Sequence, residues 1–264
     1  MVFDPSVSMS TSERAVSFSG KGSSGRVILS DSDWIKPVEF FRNIDYSMIA
    51  IQFAVLLFSL SIHEASHAWM ADRLGDPTAR YLGRVTLNPI PHIDLIGTVL
   101  FPLLQFFVHF PLIGWAKPVP INSAHLRDPR RDQIFISLAG PGANMLAGGI
   151  AFIFLFILKK SWPQAREFIV YGLMPAHGSV LAPVLMILYY AMIINLLLAV
   201  FNFIPIPPLD GHWILYGLLP ANAAAAFERM GSYGFIILYA LMITGALRFI
   251  QIPVGWAIVL LRTF

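Results

Sequence analysis

Residues 178–209 (GSVLAPVLMILYYAMIINLLLAVFNFIPIPPL) form 32 consecutive positions without a charged side chain, and this run decides the fold class. A helix needs about 20 predominantly apolar residues to cross a bilayer. Residues 46–62, 133–158 and 230–247 form three further uncharged runs. Of the 264 residues, 56% are hydrophobic and 12% are charged, whereas a soluble domain carries about 25% charged residues. The sequence therefore predicts an all-α polytopic membrane protein.

The uncharged runs also predict where the membrane helices lie. We expect about four to six transmembrane helices. Helices are predicted near 45–72, 133–158, 181–204 and 231–262. Arg248 and Pro253 allow the last of these to be two pieces. Another apolar stretch, 93–113, is interrupted by Pro102 and Pro111, which cannot donate a helical hydrogen bond.

Charge and cysteine content exclude several classes of protein. The net charge is +3, from 18 basic and 15 acidic residues, and it forms no basic stripe with interleaved aromatic residues. We therefore expect no nucleic-acid partner. The chain has no cysteine, which excludes disulfides, thiol catalysis and iron–sulfur clusters. The lipid bilayer and other membrane proteins remain as partners.

The first 44 residues differ in composition from the rest of the chain. Serine and glycine are frequent between residues 6 and 25, and few large apolar residues interrupt them. The stretch lacks the apolar core of a secretory signal. We predict a disordered Ser/Gly-rich tail over residues 1–44 and a membrane-embedded domain over residues 45–264.

The candidate chemistry lies near the end of the first predicted helix, which reads His63-Glu64-Ala65-Ser66-His67. Histidines four positions apart share one helix face, about 6 Å apart along the axis, and can bind one zinc ion. Glu64 lies beside them and can take a proton from a water molecule. Ionisable groups in a membrane helix are costly unless they are used or paired. The alternative is a pair of polar residues that face a cavity.

A hydrolytic zinc site has three protein ligands and one open position, so a third ligand is needed. Asp210 follows the longest uncharged run, which ends in Pro205, Pro207, Pro208 and Leu209. These prolines cannot continue a helix, and unwound backbone at membrane depth is tolerated only where it lines protein or a wet cavity. We predict that Asp210 is the third ligand. The alternative is an exposed acidic residue at a helix end.

Three motifs together resemble the site-2 protease family of intramembrane zinc metalloproteases, in its compact form without a PDZ domain. They are His63-Glu64-x-x-His67, Gly140-Pro141-x-x-Asn144 and Leu209-Asp210-Gly211, within residues 45–215. The resemblance implies one Zn²⁺ per chain, held by His63, His67 and Asp210. It implies that Glu64 is the general base and that Asn144 binds substrate near the site.

The resemblance implies a zinc-dependent endopeptidase that hydrolyses peptide bonds in or near transmembrane helices. The partner is then a transmembrane protein substrate. A non-proteolytic membrane zinc-binding protein or transporter is the alternative, because it also explains histidines and an acidic residue in a membrane. Such a protein does not need a glutamate beside the first histidine, and this sequence lacks the internal repeat of many transporters.

Other polar residues near the motifs have more than one interpretation. Asn144 can hold an extended substrate or an oxyanion, or it can bond one helix to another. His92 and Asp94 can shape the cavity, bind a second ion or order their loop. We expect His212 on the surface, with support of the site as the alternative. Asn202 is given no role.

The predicted ligands constrain the topology. The two histidines lie toward the C-terminal end of the first helix, and Asp210 lies just past the C-terminal end of the 181–204 helix. These two helices must therefore run in the same direction. Only one of the segments 93–113 and 133–158 can then cross the membrane, and we predict that 93–113 is re-entrant.

Basic residues near the membrane predict the orientation. Eight lie on the active-site side in this topology, namely Arg73, Arg80, Arg84, Lys117, Arg127, Arg130, Arg131 and Arg229. Five lie on the other side, namely Lys36, Arg42, Lys159, Lys160 and Arg166. The excess favours an active site that faces the cytosol. The compact form of the family suits a prokaryotic cytoplasmic membrane.

Two further segments favour strands over helices, residues 80–87 (RYLGRVTL) and 117–121 (KPVPI). An exposed strand can add an extended substrate by edge pairing. We therefore expect a short β-hairpin or re-entrant element near the active site. An ordinary loop is the alternative.

Overall fold

The computed structural model describes residues 13–20, 23–30, 46–102, 104, 114–175 and 179–264. The chain divides into two units, Met1–Ile49 and Ala50–Phe264. In the first unit, β1 (Glu13–Gly20) and β2 (Ser23–Ser30) form an antiparallel hairpin. This hairpin lies within the stretch predicted to be a disordered tail. The rest of that stretch, up to residue 44, lies outside the described residues, so the tail stays a prediction.

From Tyr46 onward the described residues form helices joined by turns and loops, without a β-strand. The helices are α1 (Tyr46–Arg73), α2 (Thr78–Tyr81), α3 (Pro129–Ser161), α4 (Pro163–Tyr171), α5 (Leu181–Asn202), α6 (Asp210–Leu218), α7 (Ala221–Arg229), α8 (Gly234–Ile243) and α9 (Ile252–Thr263). Short 3-10 turns cover Ile90–His92, Ser123–His125, Met230–Tyr233 and Ala246–Gln251, and a π-helical turn covers Leu95–Leu100.

Five helical runs in the described part are long and apolar enough to cross a membrane. They are Tyr46–Arg73, Pro129–Ser161, Leu181–Asn202, Ala221–Ile243 and Ala246–Thr263. The prediction of a multi-pass membrane protein with four to six such helices is confirmed. The predicted helix 231–262 is two pieces, and the break lies at Gly245, whose φ of 74° ends the first piece. Pro253 instead lies in the first turn of α9, where proline is tolerated.

The helices α3, α4, α5 and α9 share a hydrophobic core that includes Leu155, Leu185, Met192 and Leu261. Gly148 lets α3 approach α5 closely, because a Cβ at this position would lie 3.1 Å from the Leu196 side chain. Tight packing of this kind replaces the hydrophobic effect as the force between helices in a membrane. This core fixes α3 and α5, which carry polar residues at the site, relative to each other.

Residues near the start of the segment predicted to be re-entrant contact Trp115, which lies two positions after its end. The Trp115 N–H donates to the Gly97 carbonyl oxygen (3.2 Å), and the Thr98 hydroxyl donates to the Trp115 carbonyl oxygen (2.8 Å). The rings of Phe101 and Trp115 pack edge to face, with centroids 5.1 Å apart. Between these contacts, residues 103 and 105–113 lie outside the described part of the chain.

The predicted strands at 80–87 and 117–121 are not observed, and this part of the prediction is wrong. The first two residues of the earlier segment belong to α2, and Gly83 has a φ of 67°, which turns the chain away from an extended path. In the later segment, Pro118 has no N–H to offer a neighbouring strand. The two segments are joined by a side chain instead, because the Arg84 guanidinium donates to the Pro118 carbonyl oxygen (3.4 Å).

A buried carboxylate, Asp76, connects the loop after α1 to the segment before α3. It accepts hydrogen bonds from the N–H and hydroxyl of Thr78, from the Asn122 N–H (2.7 Å) and from His125 Nδ1 (3.1 Å). Burial alone would raise the pKa of Asp76, but these hydrogen bonds outweigh burial and hold the pKa below its usual value of 3.8. Asp76 thereby anchors Asn122 and His125 to the loop that follows α1.

Asp76→Asn should lower the free energy of unfolding at neutral pH by about 1–3 kcal/mol, because it removes charge-assisted hydrogen bonds in a buried site. A depressed folded-state pKa stabilises the protein above the ordinary pKa of 3.8, and this contribution is lost as the pH falls through the folded value. The difference between wild type and variant should therefore shrink in acid. Unfolding in detergent as a function of pH measures it.

Glu167→Gln is the control for this experiment, because Glu167 is exposed. It should change the free energy of unfolding by less than about 0.5 kcal/mol at any pH. If Asp76→Asn and Glu167→Gln unfold alike at neutral pH, the Asp76 carboxylate does not anchor the loop.

Candidate active site

The C-terminal part of α1 carries His63 and His67 one helical turn apart, and both side chains are buried. Their Nε2 atoms are 3.0 Å apart. Asp210, the first residue of α6, places Oδ2 3.0 Å from His63 Nε2 and Oδ1 3.3 Å from His67 Nε2. Among the described residues, these three form the one cluster of histidine and acidic side chains whose ligand atoms all lie within 4.8 Å.

This donor set fits a zinc ion. Zinc bonds of about 2.0–2.1 Å in tetrahedral geometry place their donor atoms about 3.3 Å apart. The three separations here are 3.0, 3.0 and 3.3 Å. Asp210 Oδ2 is buried and receives no hydrogen bond from the described residues, so it lacks the positive partner that a cation supplies.

The hydrogen bond at Nδ1 of each histidine determines which way its Nε2 points. His63 Nδ1 lies 2.6 Å from Asn144 Oδ1, and His67 Nδ1 lies 2.6 Å from the Ile136 carbonyl oxygen. Both oxygens are acceptors, so each Nδ1 carries a proton and donates it. Each Nε2 then presents its lone pair toward Asp210, as a metal ligand must.

Two glycines allow the backbone to come close to this cluster. A Cβ at Gly140 in α3 would lie 2.3 Å from His67 Nε2 and 2.7 Å from His63 Cε1. A Cβ at Gly211 would lie 2.4 Å from the Phe203 carbonyl oxygen, because the chain after α5 folds back on the end of that helix. Both motif glycines are therefore steric requirements of the site.

A cavity of about 450 Å³ lies beside the two histidines and Asp210. The half-buried Glu64 lines it together with the histidines. Other parts of its wall are Trp115, Ile121, Gln133, Asn202 and Trp213. Glu64 therefore faces the same cavity as His63, His67 and Asp210.

Asn144 lies behind His63 rather than at the cavity. It is fully buried, and its Nδ2 donates to Asn195 Oδ1 (2.7 Å) and to the Ser59 carbonyl oxygen (3.0 Å). These contacts correspond to the helix-to-helix bonding that the sequence left as an alternative. Substrate binding by Asn144 stays a prediction, and its observed contact is with His63.

Two asparagines that the sequence left unassigned belong to the site. Asn202 lines the cavity at the end of α5. Asn195 lies two turns earlier on α5 and contacts Asn144 of α3. The sequence does contain a feature that points to them, namely an amide side chain inside a long uncharged run. A polar group in a membrane helix needs a hydrogen-bond partner.

His92 and Asp94 order their own loop and lie outside the ligand cluster. His92 is buried, with Nε2 2.9 Å from the Thr86 carbonyl oxygen. Asp94 Oδ1 accepts from the N–H groups of Ile96 (3.0 Å) and Gly97 (2.8 Å). Of the three roles that the sequence allowed, loop ordering is the one that these contacts support.

His212 is not on the surface, so that expectation is wrong. The side chain is buried, because α7 folds against α6 and the imidazole stacks on Phe227 with centroids 4.8 Å apart. Burial lowers the pKa of His212, although the charge of Glu228 opposes this effect. The histidine therefore packs among aromatic side chains of α6 and α7.

A comparison of the sequence with protein families identifies the family of this chain. A family model described as Peptidase family M50 matches residues 51–245. The chain belongs to this family, the site-2 proteases. The resemblance seen in the motifs is thus confirmed.

The curated relatives are named as zinc metalloproteases. The chain is 36% identical over 189 residues to "Putative zinc metalloprotease YwhC" of Bacillus subtilis, which covers 72% of this chain and 78% of the relative. It is 27% identical over 217 residues to "Putative zinc metalloprotease Rip2" of Mycolicibacterium smegmatis, with 82% and 74% covered. Rip2 of Mycobacterium tuberculosis is 26% identical over 201 residues, with 76% and 67% covered. No solved structure gives a significant match.

Membership of M50 makes the chain a zinc-dependent protease with Zn²⁺ as its cofactor. The predicted enzyme class and cofactor are therefore confirmed. The alternative of a non-proteolytic zinc-binding protein or transporter gains no support from the relatives. The roles of the individual residues stay predictions.

Gly140→Ala should reduce the zinc content of the purified protein at least about tenfold, because the methyl group would occupy space 2.3 Å from His67 Nε2. Gly142→Ala is the matched control in the same helix, since a Cβ there meets no atom within 4 Å. It should keep its zinc. Elemental analysis in detergent compares the two variants, and equal zinc contents would show that α3 does not press against the histidines.

Proposed function

We propose that this chain is an intramembrane protease that hydrolyses peptide bonds in or near the transmembrane helices of other membrane proteins. One observation carries the proposal: His63, His67 and Asp210 meet beside Glu64, on helices that are long enough to cross a membrane or directly after one. A hydrolytic site built into membrane helices suits a substrate that is itself in the bilayer. The family match over 51–245 supports residues 45–264 as the catalytic domain.

His63, His67 and Asp210 would hold the zinc ion, with the remaining position open to the cavity. When bound, zinc polarises a carbonyl group and makes a water molecule acidic near neutral pH. Glu64 takes the proton of the attacking water and delivers it to the leaving amine. The half-buried position of Glu64 allows both steps, because its carboxylate borders the cavity.

The substrate helix must unwind before it is cleaved, because a helix occupies its carbonyl groups in hydrogen bonds. The cavity wall suits an unwound segment. Trp115 and Trp213 offer apolar surface to its side chains, and Gln133 and Asn202 offer amides to its freed backbone groups. The unwound residues Pro205–Pro208 form the route by which we expect water to enter.

The contacts between Gly97 and Trp115 support a re-entrant path for 93–113, since a segment that returns to its starting point does not cross the membrane. The helices α1 and α5 are then parallel, which agrees with the meeting of their C-terminal ends at one site. The excess of basic residues supports a cytosolic active site. The bacterial relatives support a prokaryotic cytoplasmic membrane.

Glu64→Gln tests the chemistry. We expect wild type and variant to bind about one zinc per chain, because the carboxylate is not among the three ligands. Cleavage of a single-pass model helix in detergent should fall at least about 10²-fold, because the proton acceptor is removed. Glu167→Gln, which changes an exposed acidic residue, should cleave as the wild type does. Equal cleavage by Glu64→Gln and wild type would remove Glu64 from the mechanism.

Cysteine labelling tests the topology directly, since the chain has no cysteine of its own. The exposed positions Leu87 and Ser123 flank the 93–113 segment, and Gln164 lies past the far end of α3. A membrane-impermeant maleimide should label Leu87→Cys and Ser123→Cys from the cytosolic side and Gln164→Cys from the opposite side. Labelling of positions 87 and 123 from different sides would mean that 93–113 crosses the membrane.

A further inference from the structure

A chain of hydrogen bonds joins three membrane helices behind His63. It consists of Ser59 in α1, Asn144 in α3 and Asn195 in α5, which are all at most 3% exposed. Asn195 Nδ2 donates to Ser59 Oγ (2.8 Å), and Asn144 Nδ2 donates to Asn195 Oδ1 (2.7 Å). Asn144 Oδ1 then faces His63 Nδ1 at 2.6 Å. None of these residues except His63 belongs to the ligand set.

Each member of this chain determines the orientation of the next. The Ser59 hydroxyl donates its one hydrogen to the Val55 carbonyl oxygen (2.8 Å), so toward Asn195 it can only accept. The Asn195 amide nitrogen must therefore point at Ser59, where it also donates to the Ala191 carbonyl oxygen (2.8 Å). Its Oδ1 is left as the acceptor that faces Asn144.

The same logic continues to His63. Both hydrogens of Asn144 Nδ2 are used, one on Asn195 Oδ1 and one on the Ser59 carbonyl oxygen (3.0 Å). A flipped Asn144 amide would place oxygen against oxygen at both positions. Asn144 Oδ1 must therefore face His63, which forces the proton onto Nδ1 and leaves the lone pair on Nε2.

The other histidine is oriented in a different way. His67 Nδ1 donates to the Ile136 carbonyl oxygen, which belongs to the backbone and stays in place when a side chain changes. His63 depends instead on a side-chain amide that other side chains hold. The two ligands can therefore be perturbed separately, and only His63 responds to a substitution in α5.

We infer that Ser59 and Asn195 are positioning residues that act through Asn144 to hold His63 in the tautomer that offers Nε2 to zinc, and so set the zinc affinity of the site. This inference rests on the proposed role of His63 as a zinc ligand. Loss of a hydrogen bond that orients a metal ligand typically weakens metal affinity about 10–100-fold.

The test compares two serines of α1. Ser59 and Ser61 are each 1% exposed, and each donates to the carbonyl oxygen four residues earlier. Among the described contacts, Ser59 Oγ also accepts from Asn195, whereas Ser61 has no such contact. Ser61→Ala is therefore a control for the loss of a buried hydroxyl without loss of the hydrogen-bond chain.

The measurement is zinc affinity of the full-length protein in detergent, by competition with a chelator. Asn195→Ala should bind zinc about 10–100-fold more weakly than wild type, Ser59→Ala should weaken binding in the same direction, and Ser61→Ala should bind as wild type. Cleavage of a model helix by Asn195→Ala should recover as free zinc is raised, because Glu64 is untouched. A purely structural role would not give this zinc-dependent recovery.

A stability control separates weak zinc binding from weak folding. Lys159 Nζ donates to the carbonyl oxygens of Leu261 (2.7 Å) and Arg262 (3.0 Å), which lie on other elements than the site. Lys159→Met should lower the unfolding temperature and leave zinc affinity unchanged. If Asn195→Ala does not fold, the comparison of zinc affinity between the milder variant Ser59→Ala and its control Ser61→Ala tests the inference.

The outcomes distinguish this inference from the proposed function. If wild type binds zinc and His63→Ala does not, but Asn195→Ala and Ser59→Ala bind as tightly as wild type, the hydrogen-bond chain only packs helices and the inference is overturned. If His63→Ala binds zinc as tightly as wild type, the proposed ligand set itself is wrong. Weaker binding by both Asn195→Ala and Ser59→Ala, with Ser61→Ala unchanged, establishes the positioning role.

Discussion

The contact on which the rest of the structure depends is the meeting of two imidazole nitrogens and one carboxylate among apolar helices. His63 and His67 need only one turn of α1, but Asp210 comes from a distant part of the chain and must reach the same depth. The α5 helix therefore ends at Asn202, and the proline-rich residues after it fold back so that Gly211 lies against the end of that helix. Gly140 then lets α3 close the cluster from the third side.

The apolar surroundings make every polar group near this cluster costly unless it is paired. The structure meets this constraint with neutral groups: a serine and two asparagines behind His63, and a backbone carbonyl behind His67. Neutral partners orient the imidazoles without adding charge to the site. In the proposed zinc site, the Asp210 carboxylate would offset part of the charge of the ion, and Glu64 would act as the proton acceptor at the cavity.

Much of this arrangement could be predicted from the sequence, because its signals are local or compositional. Long uncharged runs indicate membrane helices, and a glutamate between two histidines at helical spacing indicates a metal site. Asn195 could not be assigned in this way, because its role depends on three helices meeting, and one amide in an apolar run does not say which helix it faces. The strand predicted at 80–87 is not observed, because contacts distant in the sequence also decide the conformation there. β-branched residues raise strand propensity, but Gly83 and the Arg84 contacts decide the path of the chain.

The site has two parts that are held by different interactions. The candidate zinc ligands lie on α1 and after α5, where packed helices and buried amides hold them. The opposite wall of the cavity, residues 114–121, is held by loop contacts: Asp76 to Asn122, Trp115 to Gly97 and Arg84 to Pro118. Loop contacts of this kind open at lower free energy than a packed helix core. In the proposed protease, this wall is therefore the part that we expect to move when an unwound substrate enters, while the packed helices keep His63, His67 and Asp210 in place.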